Sequence, residues 1–148
     1  MEEESAEERL LYSARHGDVD SVGGLLQERS SGELQLNIDC EGQSKANLGW
    51  TPLHLASYFG HKDVVQLLID NGANVNVVNN VGDTPLHRAA FTGRMEVVML
   101  LLKNQAKVDV INAEGNTPRG LARTPEIRNL IEGVYKRNTQ ILKANSLF

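Results

Sequence analysis

Two histidines at equivalent places in a repeated motif are the first candidates for chemistry. His54 and His87 lie 33 residues apart, and each follows the tripeptide Thr-Pro-Leu. A pair of histidines could bind a metal ion or act as general acid and base. The alternative is a structural histidine near the start of a helix, bonded to the backbone and to its own threonine. The recurrence of the whole motif favours the structural role for both.

Other reactive side chains lack the neighbours that catalysis needs. Cys40 is the single cysteine, so it cannot form an internal disulfide, and no neighbour in sequence would activate its thiol. Asp63 and Asp83 are lone carboxylates without a second acid at a recognisable spacing. Neither GxxxxGK[ST] nor GxGxxG occurs. We therefore predict that the protein is not an enzyme and that it binds no cofactor and no metal ion.

The composition is typical of a soluble globular domain. Of the 148 residues, 41% are hydrophobic and 23% are charged. The longest apolar run, residues 97–102, is far shorter than the roughly 20 residues of a membrane-spanning helix. The opening Met-Glu-Glu-Glu has neither the basic residues nor the apolar stretch of a secretory signal. We therefore expect a cytoplasmic protein.

The net charge of −4 is unevenly distributed along the chain. Residues 1–46 hold eleven acidic and four basic residues, a net charge of −7, and the remainder holds eight acidic and eleven basic residues, a net charge of +3. The acidic part is either a solvated surface or a surface that steers a basic partner. No basic stripe interleaves with aromatic residues, so nucleic acid is not an expected partner.

A four-residue motif recurs with a period of 33. Thr-Pro-Leu-His occupies residues 51–54 and 84–87, and Thr-Pro returns at 117–118. The threonine can cap the start of a helix, and proline suits the first helical position because its missing N–H has no partner there. We therefore assign folding roles to these repeated residues, namely Thr51, Pro52, His54, Thr84, Pro85 and His87.

A second helix follows the first in each repeat. The apolar residues of segment 62–69 share one face at helical spacing. Gly72 ends this helix, whereas the next repeat has Gln105 in its place, so we expect strain at that helix end. Helix pairs of this length cannot bury an apolar face alone and must stack on neighbouring pairs.

The two ends of the chain depart from the repeat, as the ends of a stack are expected to do. The first unit lacks Thr-Pro, and the last has Arg119-Gly120 in place of Leu-His. We divide the single domain, residues 1–148, into a degenerate first repeat with an extended connection (5–46), a second repeat (47–79), a third (80–112), a shortened fourth (113–134), and a linker helix or truncated start of a further segment (135–148).

The connection between the first and second repeats carries ten extra residues, roughly within segment 29–46. Its serines and glycines are typical of a loop. Long loops in compact domains are often functional or mobile, but insertions also accumulate on surfaces without effect. Both interpretations remain open.

The residues with no role in the repeat are candidate partner contacts. They fall at the turns and at the ends of the first helices, where they would line the concave face: Asn47, Leu48, Trp50, Tyr58, Phe59, Asn80, Asp83, Arg88, Phe91 and Thr92, followed by Ala113, Asn116 and Arg119. Aromatic and arginine side chains are the usual anchors of protein interfaces. The alternative is that some of these aromatic rings lie partly in the core.

The Thr-Pro-Leu-His motif at a period of 33 resembles the ankyrin-repeat family. This resemblance implies an all-α ankyrin-repeat solenoid of stacked helix-turn-helix units joined by hairpin-like turns. It also implies that the chain binds other proteins, and we expect it to be a monomer.

A narrower resemblance rests on Asn47-Leu48-Gly49-Trp50 and on Arg-Ala-Ala-Phe-Thr-Gly-Arg at residues 88–94. These segments are similar to the N-terminal ankyrin region of long-form oxysterol-binding-protein-related lipid-transfer proteins. The resemblance implies binding of a Rab-type small GTPase in its GTP-bound form and recruitment to the surface of late endosomes or lysosomes, with membrane contact only through the partner. The alternative is a generic ankyrin adaptor for a peptide or a kinase in the cytosol or nucleus.

Overall fold

The computed structural model describes residues 3–146, and every regular element in that part of the chain is helical. The α-helices, in chain order, are α1 (Ala6–His16), α2 (Val19–Ser30), α3 (Pro52–Phe59), α4 (Lys62–Asp70), α5 (Pro85–Thr92), α6 (Met95–Lys103), α7 (Pro118–Leu121) and α8 (Pro125–Ser146). A single 3₁₀ turn, Lys45–Asn47, precedes α3.

The helices form a two-layer solenoid. The first helices of the repeats, α1, α3, α5 and α7, pack on one another in order and form the inner layer. The second helices, α2, α4, α6 and α8, form the outer layer in the same order. Leu10, Leu53 and Leu86 fill the same place in successive inner helices and are all 0% exposed. The predicted all-α solenoid of stacked helix-turn-helix units is confirmed.

The inner helices begin at the predicted threonine caps. Thr51 Oγ1 accepts a hydrogen bond from the backbone N–H of His54 at 3.3 Å, and His54 Nδ1 accepts one from the N–H of Thr51 at 3.1 Å. Thr84 and His87 repeat this reciprocal pair. Each pair satisfies two backbone N–H groups that the start of a helix would otherwise leave without a partner.

The outer helices α4 and α6 are followed by a residue in the left-handed conformation. Gly72 follows α4 with φ 93°, and Gln105 follows α6 with φ 66°. Gln105 is the one residue other than glycine with a positive φ among residues 3–146. A side chain in this conformation costs about 1 kcal/mol or more. The strain predicted at Gln105 is therefore confirmed.

The extended connection between α2 and α3 is packed against the repeats. Leu36 and Ile38 are only 8% and 4% exposed. Arg29 Nε donates a hydrogen bond to the carbonyl of Leu36 at 2.8 Å, and Asp39 accepts one from the N–H of Asn74 at 3.1 Å. The extra residues therefore extend the core of the first two repeats and do not form an open loop.

The C-terminal helix runs through the boundary predicted between residues 134 and 135. α8 is continuous across it because residues 134–146 contain no proline or glycine that would end a helix. Ile131 is 1% exposed, whereas Leu142 is 69% exposed, so only the first half of α8 is packed. The segments predicted as a shortened fourth repeat (113–134) and a linker helix (135–148) are therefore joined by one helix with a packed and an exposed half. Leu147 and Phe148, expected to continue this helix, lie outside the described residues.

Candidate partner-binding site

The inner layer carries one row of equivalent side chains, each two residues before the glycine that follows an inner helix. The row consists of Arg15, Tyr58 and Phe91. Because the repeats stack in register, these side chains follow one another along the inner face. The sequence-based list includes Tyr58 and Phe91 but misses Arg15. Counting back from Gly17 would have found it, because the first repeat keeps this glycine although it lacks the Thr-Pro start.

Six side chains from three repeats form what we call the aromatic–arginine cluster: Arg15, Trp50, Tyr58, Phe59, Arg88 and Phe91. The Arg15 guanidinium lies 5.2 Å from the centre of the Phe59 ring. The ring centres of Phe59 and Tyr58 are 4.9 Å apart, and those of Tyr58 and Trp50 are 5.4 Å apart. Arg88 lies 5.8 Å from the ring centre of Trp50 and 5.0 Å from that of Phe91. Such contacts contribute about 0.5–1.5 kcal/mol each, so the cluster orders side chains across repeat boundaries.

The aromatic–arginine cluster is open to solvent. Phe91 is 47% exposed, and Trp50, Tyr58 and Phe59 are half-buried. The cluster residues other than Phe91 line a pocket of about 290 Å³, together with Ala46 and Asn47. Thus the alternative that these rings lie partly in the core holds for the half-buried ones but not for Phe91. An open pocket walled by aromatic rings and arginines has the composition of an interface anchor site.

Arg88 is held by a carboxylate inside the repeat stack. Its Nη2 lies 3.0 Å from Asp83 Oδ2, and the side chains of Arg88 and Asp83 are 15% and 4% exposed. Asn112 of the next repeat donates from Nδ2 to Asp83 Oδ1 at 2.8 Å. The Asp83 carboxylate, predicted as a partner contact, is thus buried with both oxygens paired within the repeat stack. Asp83 instead orients Arg88, which lies over the rings of Trp50 and Phe91.

The remaining predicted contacts lie beside the cluster or at the turns. Asn47 borders the pocket, and in the amide orientation that satisfies both of its neighbours its oxygen accepts a hydrogen bond from Arg15 Nη1 at 3.0 Å. Leu48 and Asn80 are exposed at the turns between repeats. The Thr92 hydroxyl donates a hydrogen bond to the carbonyl of Arg88 at 2.8 Å, so its proton is already bonded within α5.

The two motif histidines each bridge adjacent repeats. Since Nδ1 of each ring accepts a hydrogen bond from its threonine N–H, the neutral ring carries its proton on Nε2. Nε2 of His54 donates to the carbonyl of Asp83 at 2.7 Å, and Nε2 of His87 donates to that of Asn116 at 3.0 Å. Both ring nitrogens are therefore occupied within the fold, as a structural role for these histidines requires.

Burial keeps both histidines neutral. Desolvation lowers the pKa of His54 from 6.5 to about 4 and outweighs the opposing effect of its hydrogen bond to the Asp83 carbonyl. The pKa of His87 is lowered chiefly by the same cause. A second proton on Nδ1 would face the threonine N–H, and only the threonine Oγ1, at 3.0 Å from His54 and 2.9 Å from His87, could accept it. Neither ring is suited to exchange protons near neutral pH.

Two asparagines organise the turns between repeats, and the sequence analysis missed both. Asn79 Oδ1 accepts hydrogen bonds from the N–H groups of Val81 and Asp83, at 3.1 and 3.0 Å. Asn112 Oδ1 does the same for the corresponding residues of the next turn. The 33-residue separation of the two asparagines is the signal that would have identified them. These turns fix the backbone that carries Asp83 and hence the position of Arg88.

The Cys40 thiol is buried and is not activated by its surroundings. Burial raises the pKa of the Cys40 thiol to about 12, and the nearby Glu7 carboxylate acts in the same direction. A thiol in this state is a poor nucleophile.

Residues 3–146 contain no group of three or more metal-ligating side chains. No helix in this part of the chain has the length and apolarity needed to cross a membrane.

Comparison with known proteins agrees with this architecture. A family model described as ankyrin repeats (three copies) matches residues 10–112, which is more than half of the chain. The chain therefore belongs to the ankyrin-repeat family. Members of this family are typically protein-interaction modules without catalytic activity, and this chain is an ankyrin-repeat interaction module.

Individual proteins within this family show a narrower similarity to the chain. It is 55% identical over 75 residues to oxysterol-binding protein-related protein 1 of Rattus norvegicus and 53% identical over 75 residues to that of Homo sapiens. Each match covers 51% of this chain but only 8% of the relative's length. The chain is also 41% identical over 68 residues to ankyrin repeat and SAM domain-containing protein 3 of Homo sapiens, covering 46% of this chain and 9% of that protein. The resemblance to oxysterol-binding-protein-related proteins is thus confirmed for about half of the chain.

Proposed function

We propose that this solenoid binds a Rab-type small GTPase in its GTP-bound form and thereby recruits a lipid-transfer protein to the cytoplasmic surface of late endosomes. The family of the partner and the location are what the resemblance to the ankyrin region of long-form oxysterol-binding-protein-related proteins implies, and the similarity to oxysterol-binding protein-related protein 1 supports that resemblance. The observation that carries the binding role is the aromatic–arginine cluster, which continues without a gap from the first repeat to the third.

The rigidity of this surface suits a partner whose conformation depends on its bound nucleotide. Five of the six cluster residues lie on helices packed in a stack, Trp50 lies in the turn before α3, and the arginines and rings hold one another in place. A preorganised surface loses little conformational freedom on binding. The switch segments of a small GTPase are ordered by the γ-phosphate and released after hydrolysis. A rigid face of this kind would bind the ordered segments and discriminate against the released ones.

A direct test is a pull-down with a panel of purified Rab GTPases, each loaded with a GTP analogue or with GDP. We expect at least one late-endosomal member to be retained in the GTP-like form and lost in the GDP form. Retention of no member, or equal retention of both nucleotide forms, would contradict the proposal.

The binding surface is tested by Trp50→Ala, measured by calorimetry with the retained GTPase. Loss of an anchor at the centre of the cluster should weaken binding by about 2 kcal/mol or more, while circular dichroism stays close to that of the parent. Lys103→Glu on the outer layer is the matched control, because Lys103 is exposed at the end of α6. Normal binding by Trp50→Ala together with loss of binding by Lys103→Glu would place the partner on the outer helices.

The acidic first repeat and connection are proposed to accelerate association with a partner of net positive charge. Glu41→Lys should therefore slow association at low salt and have less effect on dissociation. Asp18 is less suitable for this test because it also caps α2, accepting hydrogen bonds from the N–H and hydroxyl of Ser21. An association rate that does not change with Glu41→Lys at low salt would remove this part of the proposal.

A generic adaptor role is the second candidate, favoured by the similarity to ankyrin repeat and SAM domain-containing protein 3. The two candidates differ in what the gene encodes after Phe148. A sterol-ligand domain there supports the lipid-transfer assignment, and a kinase domain or a stop codon supports the adaptor. Reading the transcript through this position decides between them.

A further inference from the structure

The aromatic–arginine cluster contains two arginines with different electrostatic surroundings. Arg88 is neutralised by Asp83, which is 4% exposed and lies 3.0 Å away. Arg15 is exposed and has no carboxylate within 4.0 Å among residues 3–146. Although residues 1–46 carry a net charge of −7, the part of this segment that borders the pocket presents an uncompensated positive charge.

The Arg15 guanidinium is held in place without losing its capacity to donate. It lies over the Phe59 ring at 5.2 Å, and one of its nitrogens bonds to the Asn47 amide oxygen. A guanidinium has five N–H donors in a planar fork, so most of them stay available. This fork fits the two oxygens of a carboxylate, and stacking on a ring reduces the freedom that such an ion pair would otherwise lose.

Next to this charge lies a space for an apolar group. The pocket of about 290 Å³ is walled by the rings of Trp50, Tyr58 and Phe59, with Arg15 on its border. The pocket is open to solvent and is also lined by Arg88 and Asn47. Its volume leaves room for one leucine, methionine or phenylalanine side chain to lie against the rings.

We propose that the pocket bordered by Arg15 and Trp50 recognises a protein segment that presents a carboxylate beside an apolar side chain. The carboxylate pairs with the Arg15 guanidinium, and the apolar side chain enters the space between the rings. This inference rests on the proposed function, because it assigns the chemistry that the same face selects. Charge then acts at two levels. The acidic first repeat attracts a partner of net positive charge, while Arg15 pairs with one acidic residue of that partner.

The test uses the full chain and a phage-displayed library of random short peptides without tryptophan. Trp50 is the only tryptophan, so its fluorescence reports occupation of this pocket directly. We expect the recovered peptides to contain Asp or Glu within two residues of Leu, Met or Phe, and their synthetic forms to change the Trp50 fluorescence. Recovery of no peptide, or of peptides without a carboxylate, overturns the proposal.

The role of Arg15 is tested with Arg15→Gln, which removes the charge from an exposed side chain whose loss should leave the fold intact. We expect the affinity for the recovered peptides to fall roughly tenfold, the scale of one charge-assisted hydrogen bond. Arg128→Gln is the matched control, since Arg128 is also exposed, lies on α8 and does not line the pocket. Equal affinity of Arg15→Gln and Arg128→Gln overturns the proposal.

The experiments distinguish failure of the carboxylate proposal from failure of the proposed GTPase binding. If no GTPase is retained but acidic–apolar peptides bind and depend on Arg15, the GTPase is rejected and the pocket assignment stands. If a GTPase binds through Trp50 but Arg15→Gln leaves its affinity unchanged, the face is correct and the carboxylate proposal is overturned.

Discussion

Acidification from about pH 7 to about pH 5 should destabilise this protein through a buried histidine of the repeat. His54 is 0% exposed, and its Nδ1 accepts the N–H of Thr51 while its Nε2 donates to the carbonyl of Asp83. Its pKa is lowered to about 4, mainly by burial. In the unfolded chain the same ring has a pKa near 6.5. Between these two values the unfolded state binds more protons, so the free energy of unfolding falls as the pH falls.

The size of the effect follows from the difference between the two pKa values. Each pH unit between them is worth about 1.4 kcal/mol, so His54 alone should lower the free energy of unfolding by about 2 kcal/mol at pH 5 and by about 3 kcal/mol near pH 4. His87 acts in the same direction because its pKa is also lowered by burial. A domain of this size is stable by about 5–15 kcal/mol, so the loss is a measurable fraction of the total.

Urea unfolding followed by circular dichroism at pH 7, 6 and 5 measures this dependence. His54→Gln is the informative comparison: the variant is expected to be less stable at pH 7 but to lose less stability on acidification. Effects of carboxylates cancel in the difference between the two slopes. Parallel slopes for the parent and His54→Gln, or an NMR titration of the His54 ring with a midpoint near 6.5, would refute the reasoning.

Four substitutions test individual features of the repeat by the same denaturation assay. Thr84→Ala removes a cap that is 1% exposed and should cost roughly 1 kcal/mol; an unchanged midpoint would mean that the threonine does not stabilise α5. Gly120→Ala should be neutral or stabilising by up to about 1 kcal/mol, because a Cβ there meets only the Thr117 hydroxyl at 3.5 Å. Gly82→Ala is its contrast and should destabilise, because φ is +78° and a Cβ would lie 3.2 Å from the backbone of the next turn; equal effects of the two would contradict the assigned backbone conformations. Gln105→Gly should stabilise by up to about 1 kcal/mol by relieving a positive φ, and a loss of stability would show that the Gln105 side chain makes contacts that outweigh the strain.

The fold could be predicted from sequence because the interactions that define it are local and repeated. A threonine, a proline and a histidine within four residues specify the start of each inner helix, and the spacing of 33 places the next copy. The reciprocal bonds of Thr51 with His54 need no information from elsewhere in the chain. Where the chain departs from the repeat, prediction was weaker. The uninterrupted course of α8 and the packing of Leu36 and Ile38 depend on tertiary contacts that no period describes.

The candidate site was harder to predict because its contacts join residues far apart in sequence. Asp83 looks like a free residue at a turn, but Asn112, 29 residues further on, binds its carboxylate inside the stack. Arg15 is separated from Phe59 by an insertion whose length hides their proximity. Sequence reasoning could list the aromatic residues that the repeat does not need. It could not tell which of their polar neighbours were buried and paired.

Arg88 shows how a position that is apolar and buried in one repeat can carry a charged side chain in the next repeat of the same fold. The equivalent residue of the preceding repeat is Leu55, which is only 3% exposed. A charged side chain at such a position would be costly if it were unpaired. Asp83 removes this cost, and it occupies the place that Trp50 holds one repeat earlier. The third repeat therefore differs from the second at two positions, and an ion pair within one repeat supports the guanidinium over the tryptophan of the repeat before it. Either charged residue alone would be less well tolerated, because it would leave one charge buried without a partner.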